Sequence, residues 1–298
     1  MDYRTTVAAL IVAVALIGSA GCSKEASITV GSKNFTEQMI LGEIVAQHLE
    51  QRLGRRIRRK LNLGGTLLAH QALINGDIDL YPEYSGTALI NVLKLPPASD
   101  TGGNLDRVRI EYQRRFHIEW LDPLGFNNTF AMVIRGEEQK RLGIESLSDA
   151  RRHARQWTLG VGYEFQQRPD GLAGLLNAYD LRFKSSVTMD LGLLYQALEN
   201  RKVDIVAVNT TDGMLAVLEA VILKDDKNYF PPYVAALAVR ADALQAEPRL
   251  RPALNELAGK FSDTVMRRLN YQIDGLHLGV QEVAMKFLQD LRTSPSAP

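Results

Sequence analysis

At 298 residues, with 46% hydrophobic and 23% charged side chains, the chain has the composition of a globular protein and a length that suits two lobes better than one core. A net charge of +1 argues against a nucleic-acid partner, which is usually recognised by a clear basic excess. A single cysteine, Cys22, excludes an internal disulfide and a thiol-rich metal site.

The chain opens with Arg4, an apolar run from Val7 to Ile17 and the small residues Gly18-Ser19-Ala20-Gly21 before Cys22, the order of a secretory signal. The run is too short for a permanent membrane span, which takes about 20 residues. Export is therefore expected. The segment resembles a bacterial lipoprotein signal, with Ser19 where leucine is usual. That resemblance implies a signal peptide over 1–22 and a lipidated Cys22 tethering a periplasmic or membrane-anchored protein.

Ser27 to Gly31 alternates as a strand, and Thr36 with Glu37-Gln38 opens a helix that ends near Leu53-Gly54. A strand leading into a helix start, with Lys33 beside it, predicts an anion site. The run Arg55-Arg56-Ile57-Arg58-Arg59-Lys60 reads as the solvated start of a strand around an inward Ile57, and Thr66 caps a helix to Ile74. Ile78 to Leu80 reads as a strand, after which a loop at Pro82 displays Tyr81, Glu83, Tyr84, Ser85 and Thr87. The pattern returns as Val203-Asp204-Ile205 and Asn209-Thr210-Thr211-Asp212-Gly213, an offset of 125 residues from Asp79 to Asp204.

Between the two copies, Leu95 to Gly103 reads as a loop, Leu105 to Phe116 as an amphipathic segment, and Leu121 to Asn128 as a crossover into the strand Thr129 to Ile134. Thr158 to Val161 is a further strand, and Pro169 at a first helical position places Arg168 at a helix start. Phe230 to Tyr233 reads as the return crossover into the strand Ala235 to Val239, and Pro248 to Leu291 as helices packing on the first lobe, with a frayed end from Thr293 to Pro298. Strand and helix alternate, so the expected fold class is α/β: two lobes, each a mostly parallel sheet flanked by helices, joined by two crossover hinges. The first lobe is expected over 23–126 and 233–298, the second over 127–232.

No GxSxG elbow, HExxH pair or Walker-type loop occurs, and His48, His70, His117, His153 and His277 lack metal-ligand spacing. Asp77 and Asp79 read as turn and strand-end hydrogen-bonding groups. The expectation is a binding protein without catalytic residues, cofactor or metal. The loops instead carry aromatic residues, Tyr84, Phe130 and Tyr233, near Lys33 and Arg168. A quaternary ammonium has no N–H to donate, so ring faces must hold it, at about 0.5 to 2 kcal/mol per desolvated contact. A carboxylate at its other end suits Arg and backbone amides.

GSKNFTEQ at 31–38, NLGGT at 62–66, ALINGDIDLYPEYSGT at 72–87, GFNNTFA at 125–131, RPDG at 168–171, TTDG at 210–213 and PPY at 231–233 follow in this order. Together they resemble the extracytoplasmic substrate-binding proteins of ABC importers for glycine betaine, choline and related quaternary amines, over nearly all of the mature chain. The resemblance implies a periplasmic-binding-protein type II fold, hinge closure on a ligand, and delivery to a permease with its ATPase subunit, with no reaction performed. It assigns Lys33, Thr87 and Arg168 to a ligand carboxylate, Tyr84 and Tyr233 to an aromatic cage, and Asn128 to a polar position whose backbone faces the cation. Phe130 stands where tyrosine is usual, and Asn209 stands where another cage tyrosine is expected. The implied ligands are glycine betaine, proline betaine, carnitine, choline or ergothioneine. An amino acid or other non-methylated zwitterion held by Asn209 and Asn128 is the alternative, and a monomer is expected.

Overall fold

The computed structural model describes residues 27–97 and 101–293. The export segment with Cys22, residues 98–100 and the last five residues of the chain lie outside the described residues, so the expectations for them do too.

Strands are numbered in chain order. The first sheet holds β1 (Thr29–Gly31), β2 (Arg58–Lys60), β3 (Leu80–Tyr84), β4 (Ile118–Trp120) and β10 (Ala235–Arg240), in the order β2-β1-β3-β10-β4. The second holds β5 (Phe130–Arg135), β6 (Thr158–Val161), β7 (Ser185–Thr188), β8 (Ile205–Asn209) and β9 (Ala220–Ile222), in the order β7-β6-β8-β5-β9. Period-2 alternation sorts each strand between two cores. On β10, Ala235, Leu237 and Val239 join the core beneath the helix Thr36–Leu53, while Ala236 and Ala238 join the core on the opposite face. On β5, Met132 and Ile134 face one core and Ala131 and Val133 the other. Both faces of each sheet are thus covered, and the fold is α/β with two lobes.

Each sheet is mostly parallel, with one strand running against the other four. β1 is parallel to β2 and β3, whereas β10 runs antiparallel to β3 and β4. In the second sheet β6 is parallel to β7 and β8, and β5 runs against β8 and β9. The reversed strand is in each case the one entered from the other lobe. A chain arriving at the end of a sheet where its neighbours finish must run back along them.

The lobes carry the repeat in atomic detail. Asp79 accepts the N–H of Thr29 at 2.7 Å and its own N–H donates to the Thr29 carbonyl at 2.8 Å. Asp204 does the same with Thr158, at 2.8 Å in both directions. Arg240 reaches the carbonyl of Leu73 and Arg135 that of Leu198, the two leucines again 125 residues apart. Asp79 and Asp204 are thus hydrogen-bonding groups at strand starts, the kind of role expected of Asp79.

Pro82 lies inside β3, not in a loop after it, and Tyr81 and Glu83 are buried. The strand tolerates proline because β1 pairs with β3 only through Val30 and Leu80. The partner of Pro82 on the other side, Leu237, turns its carbonyl to Leu121. No ladder bond needs the missing N–H.

The helix Thr36–Leu53 ends at Gly54, whose φ of 68° is left-handed. The basic run divides: Ile57 is buried, Arg59 forks between Glu43 and Glu50 and Arg55 meets Glu247, while Arg56, Arg58 and Lys60 stay exposed. The helices Asp263–Asp274 and Val280–Thr293 bury Met266, Leu269, Phe287 and Leu288 in the core shared with the helix Thr36–Leu53. The segment expected to start at Leu105 begins a turn earlier, at Thr101. Among the described residues no helix is long and apolar enough to cross a membrane.

The two connections between lobes lie side by side. Asn127 bridges Val234, the N–H of Asn128 donates to the Tyr233 carbonyl at 3.1 Å, and the N–H of Tyr233 donates to Asn127 Oδ1 at 2.6 Å.

Candidate functional site

A cleft of about 700 Å³ lies between the sheets. Strands β3 and β8 end at it and β5 begins at it, so the loops that carry the repeat converge there. Its lining includes Lys33, Tyr84, Thr87 and Asn128, and also Phe130, Arg168, Asn209 and Tyr233. Residues separated by as much as 200 positions are therefore brought to one cavity.

The aromatic groups form two sets. Tyr84 ends β3 and stacks with Phe35, centroids 6.3 Å apart and planes 23° apart. Phe130 opens β5 and meets Tyr233 edge-on at 6.0 Å and Phe165 edge-on at 4.9 Å. Each set already holds a cation of the protein. Lys33 Nζ sits 4.8 Å from the Tyr84 centroid, and the Arg168 guanidinium carbon sits 5.0 Å from Phe130 and 5.6 Å from Tyr233. Rings and guanidinium are intermingled, not placed at opposite ends of the cleft.

Both cations are also ion-paired. Lys33 Nζ donates to Glu83 Oε1 at 2.6 Å and to Thr66 Oγ1 at 3.4 Å, and Lys33 and Glu83 are both buried. Instead of guarding the amino end of the helix Thr36–Leu53, Lys33 turns into the core. Burial explains this: a lone ammonium there costs several kcal/mol and is stable only beside a carboxylate. Arg168 forks onto Asp170, Nε to Oδ1 at 2.9 Å and Nη2 to Oδ2 at 2.5 Å, and its Nη1 donates to Thr87 Oγ1 of the first lobe at 3.0 Å. The Tyr233 hydroxyl donates to the same Asp170 carboxylate.

Arg168 does not start a helix. It ends the short helix Tyr163–Gln167 in extended conformation, with ψ of 146°. The following proline forbids helical geometry at residue 168, so 169–171 form a turn and the next helix starts at Leu172. The guanidinium still reaches the cleft.

Sequence reasoning missed Glu37, read only as a helix opener. It is buried and accepts four donors: the Tyr84 hydroxyl at 2.6 Å, Asn128 Nδ2 at 2.7 Å, the Thr211 hydroxyl at 2.5 Å and Asn270 Nδ2 at 3.2 Å. Burial pushes its pKa up while those hydrogen bonds pull it down, and burial dominates. Asn128 therefore turns its amide to Glu37, with its Oδ1 buried and unpartnered. Nearby Asp212 is pushed up to about 7 by burial, with Glu37 adding to the effect.

Glu164 was missed as well. It belongs to the helix Tyr163–Gln167 of the second lobe and crosses the cleft, accepting the Thr66 N–H at 2.5 Å and the Thr66 hydroxyl at 3.1 Å. Phe35 and Phe165 are further wall residues that the sequence did not single out. Phe35 lies within the first motif, and its place just before a helix was the signal available.

The family model described as the substrate-binding domain of an ABC-type glycine betaine transport system matches residues 26–290. The chain is 36% identical over 295 residues to the glycine-betaine-binding protein of Pseudomonas aeruginosa, covering 95% of this chain and 94% of that one. It is also 36% identical over 269 residues to the ergothioneine transport permease/ergothioneine binding protein EgtU of Helicobacter pylori, covering 90% of this chain but 48% of that protein. This chain thus spans about half the length of that relative. A crystal structure of a glycine betaine/carnitine/choline ABC transporter protein superposes with a TM-score of 0.75 at 32% identity, covering 89% of this chain and 99% of that one.

Proposed function

Since this chain belongs to the family of substrate-binding domains of ABC-type glycine betaine transport systems, we propose that it captures a small quaternary-ammonium compound and delivers it to a permease and its ATPase subunit. It is a solute-binding component and performs no reaction. The observation that carries the reading is the convergence of Tyr84, Phe130 and Tyr233 with two paired cations in one cleft between lobes. In this reading the rings hold the methylated ammonium. Lys33, Thr87 and Arg168 hold a carboxylate where the ligand has one, with Asn128 and Asn209 as polar wall. The paired segments at 126–128 and 233–235 act as the hinge between a first lobe of 23–126 and 233–298 and a second of 127–232. The protein acts as an exported monomer, tethered to the membrane through lipidated Cys22.

Titration calorimetry with glycine betaine, proline betaine, carnitine, choline and ergothioneine tests the proposal, and heat from at least one ligand is expected. Silence from all five sinks it. A ligand with N–H donors, such as an amino acid, is the second reading. The unpartnered Asn128 Oδ1 and the amide wall at Asn209 favour it. Heat from amino acids alone would establish that reading instead.

A further inference from the structure

The carboxylate subsite of the proposed reading already contains a carboxylate. Thr66 begins a helix of nine residues whose N-cap, Gly65, offers no side chain, so its first N–H groups need an acceptor. Glu164 supplies one from the opposite lobe, with two bonds to Thr66. Lys33 donates to the hydroxyl of that same threonine, and Arg168 Nη1 lies 3.6 Å from Glu164 Oε2 while it also donates to Thr87. Glu164 therefore stands on the ground between Lys33, Thr87 and Arg168. Burial pushes its pKa up, but the two cations and the Thr66 bonds outweigh that and hold the group ionised. The backbone is shaped for it: a Cβ on Gly65 would come within 2.6 Å of Glu164 Oε1.

The charges around the cleft give the consequence. Lys33 is matched by Glu83 and Arg168 by Asp170, each at hydrogen-bond distance, so Glu164 is a carboxylate in excess of the cations beside it. A ligand with a negative end, entering between Lys33 and Arg168, must push Glu164 aside or share the cations with it. A ligand that is only a cation meets no such competitor, and Glu164 adds to the field that attracts it.

We propose that Glu164 is a selectivity residue, a built-in anion that a ligand carboxylate must displace, and that it tilts the cleft toward choline-type cations over carboxylate-bearing betaines. The inference rests on the quaternary-ammonium reading. Glu164→Gln keeps an acceptor for the Thr66 N–H and removes the charge.

The wild type and the variant are titrated with choline and with glycine betaine at one ionic strength. The ratio of glycine betaine affinity to choline affinity is expected to rise about tenfold in Glu164→Gln. Gly65→Ala, at a φ of −75° that alanine accepts, crowds Glu164 off the helix start and is expected to move the ratio the same way by a smaller factor. It also serves if Glu164→Gln fails to fold. An unchanged ratio, or a fall in it, with both ligands still binding overturns the role of Glu164 and leaves the family function standing. Binding of neither ligand to the wild type overturns this inference, and the quaternary-ammonium reading falls with it only if proline betaine, carnitine and ergothioneine are silent as well.

Discussion

Arg168 Nη1 and Thr87 Oγ1 meet across the cleft at 3.0 Å, so a side chain of the second lobe is held by a hydroxyl of the first. The contact puts the guanidinium within reach of both lobes while Asp170 fixes its plane.

Arg168→Ala should therefore weaken glycine betaine far more than choline, which has no carboxylate. The variant also leaves buried Asp170 with only the Tyr233 hydroxyl as a strong donor, so some loss of stability accompanies it. Measuring both ligands on the same variant by calorimetry separates the two effects. A tenfold or larger gap in affinity loss is expected, and equal losses would show that Arg168 does not hold the carboxylate.

Tyr84→Phe keeps the ring and removes one of the four donors to Glu37. Because that hydrogen bond is buried and goes to a carboxylate, its loss should lower stability by about 1.5 to 3 kcal/mol. The affinity for methylated ammonium ligands should change less than threefold. Denaturant melts and titrations on one preparation check both halves, and a large loss of affinity with unchanged stability would contradict the assignment.

Asn209 ends β8 opposite Phe130, and its N–H is used by Asp212. Asn209→Tyr leaves that bond in place and adds a ring to the cleft wall. A new cation contact should tighten every quaternary-ammonium ligand by up to about tenfold. Competition titration across the panel reads the effect, and no gain for any ligand would place residue 209 off the cation.

Two buried groups give the stability profile opposite slopes. Asp212, raised from 3.8 to about 7, binds its proton more readily folded than unfolded, so its contribution is complete below pH 3.8 and is lost as pH rises through 7. Asp212→Asn should melt higher than the wild type at pH 8, by on the order of 1–2 kcal/mol, and equally at pH 4. His70, packed edge-on against Tyr112 and Phe116, is lowered by burial from 6.5 to about 4. The unfolded chain takes up that proton first, so stability falls as pH drops from 6.5 to 4. His70→Leu should flatten this acid limb in thermal melts.

The sheet-level plan was readable because its markers are local. Asp79 and Asp204 each close a strand start within their own repeat, and Gly54 stops a helix one residue after the periodicity ends. The candidate side chains that line the cleft lie at or beside the end of a strand or on a crossover, except Arg168, which follows the short helix Tyr163–Gln167. What the chain did not disclose depends on partners far apart in sequence. Lys33 reads as a cation near a helix start until β3 brings Glu83, 50 residues away, against it. Glu37 looks like a first-turn acid until Thr211 and Asn270 arrive from two other segments. The direction of β5 and β10 was hidden likewise, because a strand's sequence pattern is the same whichever way it runs.

The bridge between Asn127 and Val234 brings together the two points at which the chain leaves and rejoins the first lobe. The intervening stretch is thus an insert whose ends already touch, so joining them in isolation would close a very short gap at small entropic cost. Such a piece can be excised and recircularised, or exchanged for the matching piece of a relative, with the remaining lobe sealed by a few residues. Chimeras cut at that bridge would keep one wall of the cleft from each parent.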